Sequence, residues 1–559
     1  MHTLKNLYQR WHQHWLHGPA HWVVFACAIV VATVLYSYAL NANTGGGIVP
    51  IASAQVAACS NRTALASQCM CGATTVSTGY CCYVTAANPV AQQTQCGYTE
   101  VSPHWNHILT FSVDYRYPPA GSAQTEADWN ARHWDAGVAN PTNKLTLNPS
   151  FAAYLYRLDQ TYFSDGYDPH DGLYAQLQSY ATANGYDLED AFLHFSENTV
   201  VNGFSGAAYP GGTASFTCSG QKTLACRIKV YKWNTPRWQV NPKSPLARAF
   251  FAAEWERVTG STYKGVFLDE HPYFVNGSSS IVSGGKIVEY PGLKWNDASF
   301  GTQYNTDLVV FLQIQKSGWS AGKKLIPNSA EYSPNGQAMS QSMIADGAFF
   351  EFMLDPNRDR YNIGLMYTAS DQLLAAGKMV VFSTRQKYNT NPIDYYPVGY
   401  TAGNSSTAGN RARLVELAMY YLGKDPANQL AYFNILGAWG LPYTESWTGA
   451  QEVNIGTPVG GRVTLKTGVD ANGQNYTIFA RDFTNGYVVL RTKESYAYNT
   501  YNDTTVATAT LPRTLVPVAA DGTLGTNVTQ VTLRNSEAAI FMDPTDAVAP
   551  AAVTDLNAS

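Results

Sequence analysis

Residues 265–272 read GVFLDEHP. Four residues without a polar interruption run into Asp269, Glu270 and His271. A run this short and this apolar suits a strand buried on both faces. Upstream, 246–259 (LARAFFAAEWERVT) carries apolar residues at i, i+3 and i+4, and 306–316 (TDLVVFLQIQK) downstream does the same. A buried strand between two amphipathic helices is the unit of an α/β protein. Seven more runs read as strands of this kind: 108–112 (ILTFS), 144–147 (KLTL), 191–195 (AFLHF), 324–327 (KLIP), 348–352 (AFFEF), 379–383 (MVVFS) and 433–436 (FNIL). Helical spacing recurs at 367–377 and 411–422. Eight alternations predict a (β/α)8 TIM barrel over 101–448, with an open doubly wound sheet as the alternative. No G-x-G-x-x-G follows the first strand and no G-x-x-x-x-G-K-[ST] occurs, so neither a dinucleotide nor a P-loop site has support.

After the barrel the helical period stops. Residues 476–481 (YTIFAR) and 487–491 (YVVLR) flank Thr484-Asn485-Gly486, a hairpin signal, and 528–533 and 538–542 read as a closing pair of strands. This predicts an all-β sandwich domain over 449–545. The tail, 546–559, resembles the start of a fibronectin type III domain.

Before the barrel, 22–40 (WVVFACAIVVATVLYSYAL) has the length and polarity of a transmembrane helix. Lys5 and Arg10 precede it and no positive charge follows until Arg62, which keeps 1–21 in the cytoplasm and sends the bulk outside. An uncleaved signal anchor in the lipid bilayer is expected. A cleaved signal peptide and secretion is the alternative, given small residues around Tyr38. Residues 41–57 read as a linker. Six cysteines (Cys59, Cys69, Cys71, Cys81, Cys82, Cys96) define a disulfide module over 58–97, whose stretch 69–82 resembles a short Cys-rich module of secreted bacterial proteins. Cys218 and Cys226 complete eight exported cysteines, enough for four disulfides in open connectivity.

Across 559 residues only 14 % are charged, and 36 Lys+Arg against 40 Asp+Glu leave a net charge of −4. That balance excludes a sequence-independent nucleic-acid binder and an intrinsically disordered chain. Abundant Tyr and Trp (37 and 13) suit a surface protein that handles neutral polar ligands.

Catalytic groups of a barrel belong at the carboxyl ends of its strands. That rule selects Asp114 after strand one, Glu197 after strand three, Asp269 and Glu270 after strand four, Asn328 after strand five and Glu351 in strand six. It adds Arg385 after strand seven, and Trp439, Glu445 and Trp447 after strand eight. Carboxylates at several strand ends, with aromatics nearby, match glycoside cleavage, which needs a carboxylic acid facing a second carboxylate. Glu351 is the expected general acid, because Phe349, Phe350 and Phe352 surround it with an apolar setting that favours a protonated carboxyl. A buried ion pair with Arg385 is its alternative. Asn328, Asp114, Glu197, Arg385, Trp439, Glu445 and Trp447 are expected substrate contacts, with hydrogen-bonding and core-packing roles as their plainer readings. The stretch 165–172 (DGYDPHDG) reads as a turn rather than a calcium loop, no H-E-x-x-H occurs, and no metal or cofactor is called for.

The motif GVFLDEHP, together with ARDFTNGYVVL over 480–490, resembles bacterial glycoside-hydrolase-like barrels that carry a β-sandwich after the barrel. The resemblance spans about 105–543 and implies Asp269 as the recurring strand-four acid, acting as nucleophile or general base. Related barrels often have Asn after this Asp, where this chain has Glu270. The expected function is a membrane-anchored extracellular hydrolase of a polysaccharide. A non-catalytic glycan-binding or structural surface barrel is the alternative.

Overall fold

The computed structural model describes residues 69–71, 74–76, 108–113, 134–138, 145, 148–158, 162–164, 173–202, 213–232, 235–271, 280–329, 337–350, 363–385, 407–436, 449–471, 473, 475–493, 506–520, 522–534 and 537–545. All belong to the unit Gln55–Ser559. The expected anchor at 22–40, the linker and the tail lie outside them, as does most of the Cys-rich module, of which two short strands, Cys69–Cys71 and Thr74–Val76, pair antiparallel. Among the described residues no helix is long and apolar enough to cross a membrane.

Eight parallel strands form the centre: β1 (Phe111–Val113), β2 (Ala136–Val138), β3 (Ala152–Leu158), β4 (Gly265–His271), β5 (Lys324–Ser329), β6 (Gly347–Phe350), β7 (Met379–Arg385) and β8 (Ala431–Leu436). Each pairs with its sequence neighbour, from β8 through to β1. The ring closes where Thr110 bridges Phe433 in parallel and the Phe433 N–H donates to the Leu109 carbonyl at 2.8 Å. Two side chains secure the seam. The Tyr420 hydroxyl accepts from the Leu109 N–H at 3.2 Å, and the Asn434 amide donates to the Phe111 carbonyl. This is a TIM-like barrel, not the open sheet held as the alternative.

Alternation along each strand sorts the side chains. Phe111, Tyr154, Phe267, Ile326, Phe349 and Val381 fill the interior. The ring of Phe111 lies 5.9–6.3 Å from those of Tyr154, Phe267, Phe349 and Tyr432, so rings from five strands meet inside one cylinder. The intervening residues face helices. Val266, Leu268 and Leu325 pack against α2 (Pro245–Thr259) and α3 (Ala298–Ser317). Ala348, Phe350, Val380, Phe382 and Phe433 pack against α5 (Ile363–Ala375) and α6 (Thr407–Gly423), while α1 (Leu173–Asn184) and α4 (Gln337–Ile344) complete the described helices. Local signals set the ends. Ser244 caps α2 by accepting from the Ala247 N–H at 3.1 Å, with Pro245 at its first position. Gly265 opens β4 at φ +150°, where an added Cβ would lie 1.8 Å from the Lys324 carbonyl oxygen, so only glycine lets β4 approach β5.

Two strand expectations are corrected. The second strand is Ala136–Val138, not 144–147, and the third is Ala152–Leu158, not 191–195. Ala152–Leu158 reads AAYLYRL; its tyrosines and Arg157 break the continuous apolar pattern. The run at 191–195 belongs instead to a large excursion between β3 and α2. There Phe192, His194 and Phe195 make single antiparallel bridges to Val240, Arg227 and Ile287. The excursion carries Tyr162–Ser164, Thr199–Asn202, Thr213–Phe216, Lys229–Lys232 and Thr235–Gln239, and a disulfide joins Cys218 to Cys226. Ser280–Ser283, after β4, pairs with Thr199–Asn202, so the segments leaving β3 and β4 fold together.

The C-terminal domain has six strands: β9 (Pro458–Val469), β10 (Asn475–Phe483), β11 (Gly486–Lys493), β12 (Ala507–Val518), β13 (Val528–Leu533) and β14 (Glu537–Met542). They join antiparallel in the order β9-β10-β11-β14-β12-β13. The expected hairpin is present, with Phe483 opposite Gly486. The expected closing pair is not a pair: β14 sits between β11 and β12, and β13 pairs with β12 alone. One face of the sheet (Phe483, Val488, Leu490, Ile540) shares a core with Tyr367, Leu417 and Tyr421 of the barrel helices. Leu511, Leu515 and Leu533 cover the other face, over Ile478, Val489 and Phe541.

Two arginines dock the sheet on the end of α6. The Arg481 guanidinium donates to the carbonyls of Tyr421 (3.3 Å), Leu422 (3.3 Å), Lys424 (2.5 Å) and Gly460 (3.2 Å). Arg462 adds a bond to the Leu422 carbonyl and an ion pair with Asp371. The Tyr421 and Leu422 carbonyls are among the orphans that every helix C-terminus leaves. Arg481→Ala therefore strands buried acceptors and is expected to cost about 2–4 kcal/mol in denaturant unfolding. Arg481→Lys is expected to recover little, because an ammonium cannot span the same carbonyls.

Candidate functional site

The barrel interior changes polarity along its strands. Two residues beyond Phe267, Ile326, Val381 and Tyr154 stand Asp269, Asn328, Ser383 and Tyr156, and Asn434 follows Tyr432 in the same way. Apolar rings fill the middle layer, and a polar layer lies above it at the C-terminal ends. Ser383 donates to Asn434 at 2.9 Å across β7 and β8.

Asp269 is the acidic member of this layer among the described residues. It shares the interior side of β4 with Phe267. Its Oδ2 accepts from the Tyr156 hydroxyl on β3 at 2.5 Å, and its Oδ1 accepts from the Asn328 side-chain amide on β5 at 2.8 Å. The pairing of β4 with β5 shifts register between Leu268 and His271, a local irregularity of the kind that re-aims side chains at barrel rims. Tyr156 is held from below, its ring stacked on Phe267 at 6.2 Å and 21°.

The other expected site residues are placed as follows. Asn328 is buried beside Asp269. Glu270 and Arg385 lie on β4 and β7, with side chains outside the described set. Asp114, Glu351, Trp439, Glu445 and Trp447 lie outside the described residues. Glu197 is not at a strand end of the barrel. It sits in the excursion after β3, paired with the exposed Lys286 at 3.1 Å. Tyr156 escapes a search for continuous apolar runs, because its strand alternates instead. Its signal is the Tyr-x-Tyr alternation in AAYLYRL.

A second polar cluster ties the two rim excursions together. Asp187 caps a short 3-10 turn by accepting from the Glu189 N–H at 3.0 Å. Both ring nitrogens of the fully buried His194 meet carboxylates, Nε2 with Glu189 at 3.0 Å and Nδ1 with Glu289 at 2.8 Å. An imidazole with two acceptors is satisfied only as the imidazolium. Burial alone would lower the His194 pKa, but the hydrogen bonds and charges of Glu189 and Glu289 raise it above 6.5. Burial alone would raise the Glu189 carboxyl, but hydrogen bonds from His194 and Arg227 hold it at about 2. Arg227 grips Glu189 with two bonds (2.7 and 2.8 Å) and lies 3.9 Å from the Phe192 ring centre and 4.5 Å from that of Trp238. Glu189, His194 and Arg227 come from the excursion after β3, and Glu289 from the segment after β4. Among the described residues no group of three His, Cys, Asp or Glu side chains is arranged to hold a metal ion.

No family model and no curated protein sequence matches this chain. Solved structures do match. The glycoside hydrolase domain of PelA from Pseudomonas aeruginosa is 14 % identical, with TM-score 0.26 over 50 % of this chain and 83 % of that one. The maltogenic alpha-amylase AmyB from Thermotoga neapolitana is 8 % identical, with TM-score 0.37 over 78 % of this chain and 98 % of its own. The type III pullulan hydrolase from Thermococcus kodakarensis is 9 % identical, with TM-score 0.37 over 75 % and 70 %. Scores this low assign no family.

The His194 cluster sets a pH window. A raised histidine pKa contributes stability that is fully present below 6.5 and is lost as pH rises through the folded value. The lowered Glu189 pKa contributes stability present above 4.5 and lost as pH falls toward about 2. Unfolding of the excursion, followed by Trp238 and Trp295 fluorescence, is expected to be most resistant between these limits. Glu189→Gln is expected to flatten the acid limb.

Proposed function

We propose that this chain is a glycoside hydrolase that cleaves a polysaccharide outside the cell, tethered to the lipid bilayer by 22–40 with its amino end in the cytoplasm. The observation that carries the reading is the Asp269 carboxylate, fixed in the polar layer of the barrel by donors from both neighbouring strands. Asp269 is the nucleophile or general base. Glu351, two residues after the inward-facing Phe349, is the general acid, with Glu270 as the other acidic candidate. Asn328, Asp114, Arg385, Trp439, Glu445 and Trp447 are the expected sugar contacts, and Glu197 a more remote one. The Cys218–Cys226 disulfide supports an oxidising, extracytoplasmic setting.

In the reaction the acid transfers its proton to the glycosidic oxygen. That oxygen keeps the electron pair of the breaking C–O bond and departs as a hydroxyl. Asp269 either attacks the anomeric carbon to form an ester that water then cleaves, or takes a proton from the water that attacks directly. Either course consumes one water, and the acid regains its proton before the next cycle.

A reducing-end assay over a panel of neutral and amino-sugar polysaccharides tests this. Wild type is expected to release sugar from at least one of them. Asp269→Asn and Glu351→Gln are each expected to lower the rate about 10²–10⁴-fold. Release that both variants retain would falsify the assignment. A wild type that is retarded in a glycan gel but releases nothing turns the reading to a non-catalytic glycan-binding barrel.

A further inference from the structure

The geometry points to Tyr156 and Asn328 as positioning residues that hold the Asp269 side chain in a single orientation, an inference that rests on the hydrolase reading for its consequence but not for its geometry. Each oxygen of Asp269 has a donor from a different strand, the Tyr156 hydroxyl at 2.5 Å and the Asn328 amide at 2.8 Å. The Asn328 amide nitrogen can only donate, which fixes Oδ1 as an acceptor, while the Tyr156 hydroxyl engages Oδ2. Two anchors on opposite sides remove rotation about the side-chain bonds.

The anchors are themselves fixed. Tyr156 stands opposite Phe267 in the β3–β4 register and stacks on its ring, so the apolar middle layer sets the height of the hydroxyl. Asn328 is 6 % exposed and follows the interior residue Ile326 by two. The clamp therefore fixes which way the Asp269 oxygens face.

Tyr156→Phe removes the hydroxyl and keeps the stacked ring, and Asn328→Ala removes the opposite donor. One arm needs no substrate. Carboxyl groups are labelled with a water-soluble carbodiimide and glycinamide, and the Asp269 peptide is quantified by mass spectrometry. Labelling of Asp269 is expected to rise about fivefold in each variant, with the thermal midpoint of Tyr156→Phe unchanged. Unchanged labelling in folded Tyr156→Phe overturns the clamp. That variant decides alone if Asn328→Ala does not fold. The second arm uses a glycan that wild type cleaves. Tyr156→Phe is expected to lower kcat tenfold or more with KM within about twofold, because displacement of the carboxylate harms the chemical step rather than binding. A raised KM at unchanged kcat overturns the positioning role. Absence of hydrolysis on every glycan ends the hydrolase reading, while the labelling arm still decides the clamp.

Discussion

Closure of the parallel sheet between β8 and β1 is the constraint from which the rest of this structure follows. A parallel sheet left open has two edges of unpaired backbone groups. Here Phe433 donates to Leu109, Tyr420 reaches from α6 to the same residue, and Asn434 bridges to Phe111. Once the ring is closed, residues distant in sequence point into one interior. Phe111 can then touch rings from four other strands, and Tyr156, Asp269 and Asn328 can converge from three strands that begin at residues 152, 265 and 324.

The barrel is braced differently on its two sides. On one side the C-terminal sheet shares a continuous apolar core with α5 and α6, and Arg481 and Arg462 cover the helix end that would otherwise present bare carbonyls. The sheet is thus part of the barrel's stability. On the other side, the segments after β3 and β4 form a structure of their own over α2 and α3, organised around Trp238, Trp255 and Trp295. Within it, an imidazolium between two carboxylates, backed by an arginine on aromatic faces, locks together chain segments that leave from the ends of β3 and β4. Buried charges of this kind are held by mutual satisfaction, since any one left alone in an apolar setting is costly.

The polarity gradient inside the cylinder links fold to chemistry. A barrel filled with apolar rings from end to end would be a scaffold only. In this chain the interior position two residues further along β3, β4, β5, β7 and β8 becomes a hydrogen-bonding group, and Asp269 in that layer is anchored by both oxygens. Such fixed orientation is what a carboxylate needs to act repeatedly on one atom of a bound molecule.

Residues 265–268 announced a buried strand by their continuous apolar run, and the helices at 246–259 and 411–422 were legible from their spacing, because burial on both faces or on one stripe writes directly into residue order. The hairpin at Thr484-Asn485-Gly486 was legible for the same local reason. Strands β2 and β3 were not: AGV is too short to carry a pattern, and AAYLYRL alternates because its tyrosines face the barrel interior. The run AFLHF misled in the opposite sense, since a buried His194 between carboxylates looks, in one dimension, like a strand with a polar end. Asp269 was visible as an acid at a strand end. That its partners are Tyr156 and Asn328 was decided by barrel closure and register alone, because hydrogen bonds between residues 59 and 113 positions apart leave no trace in local order.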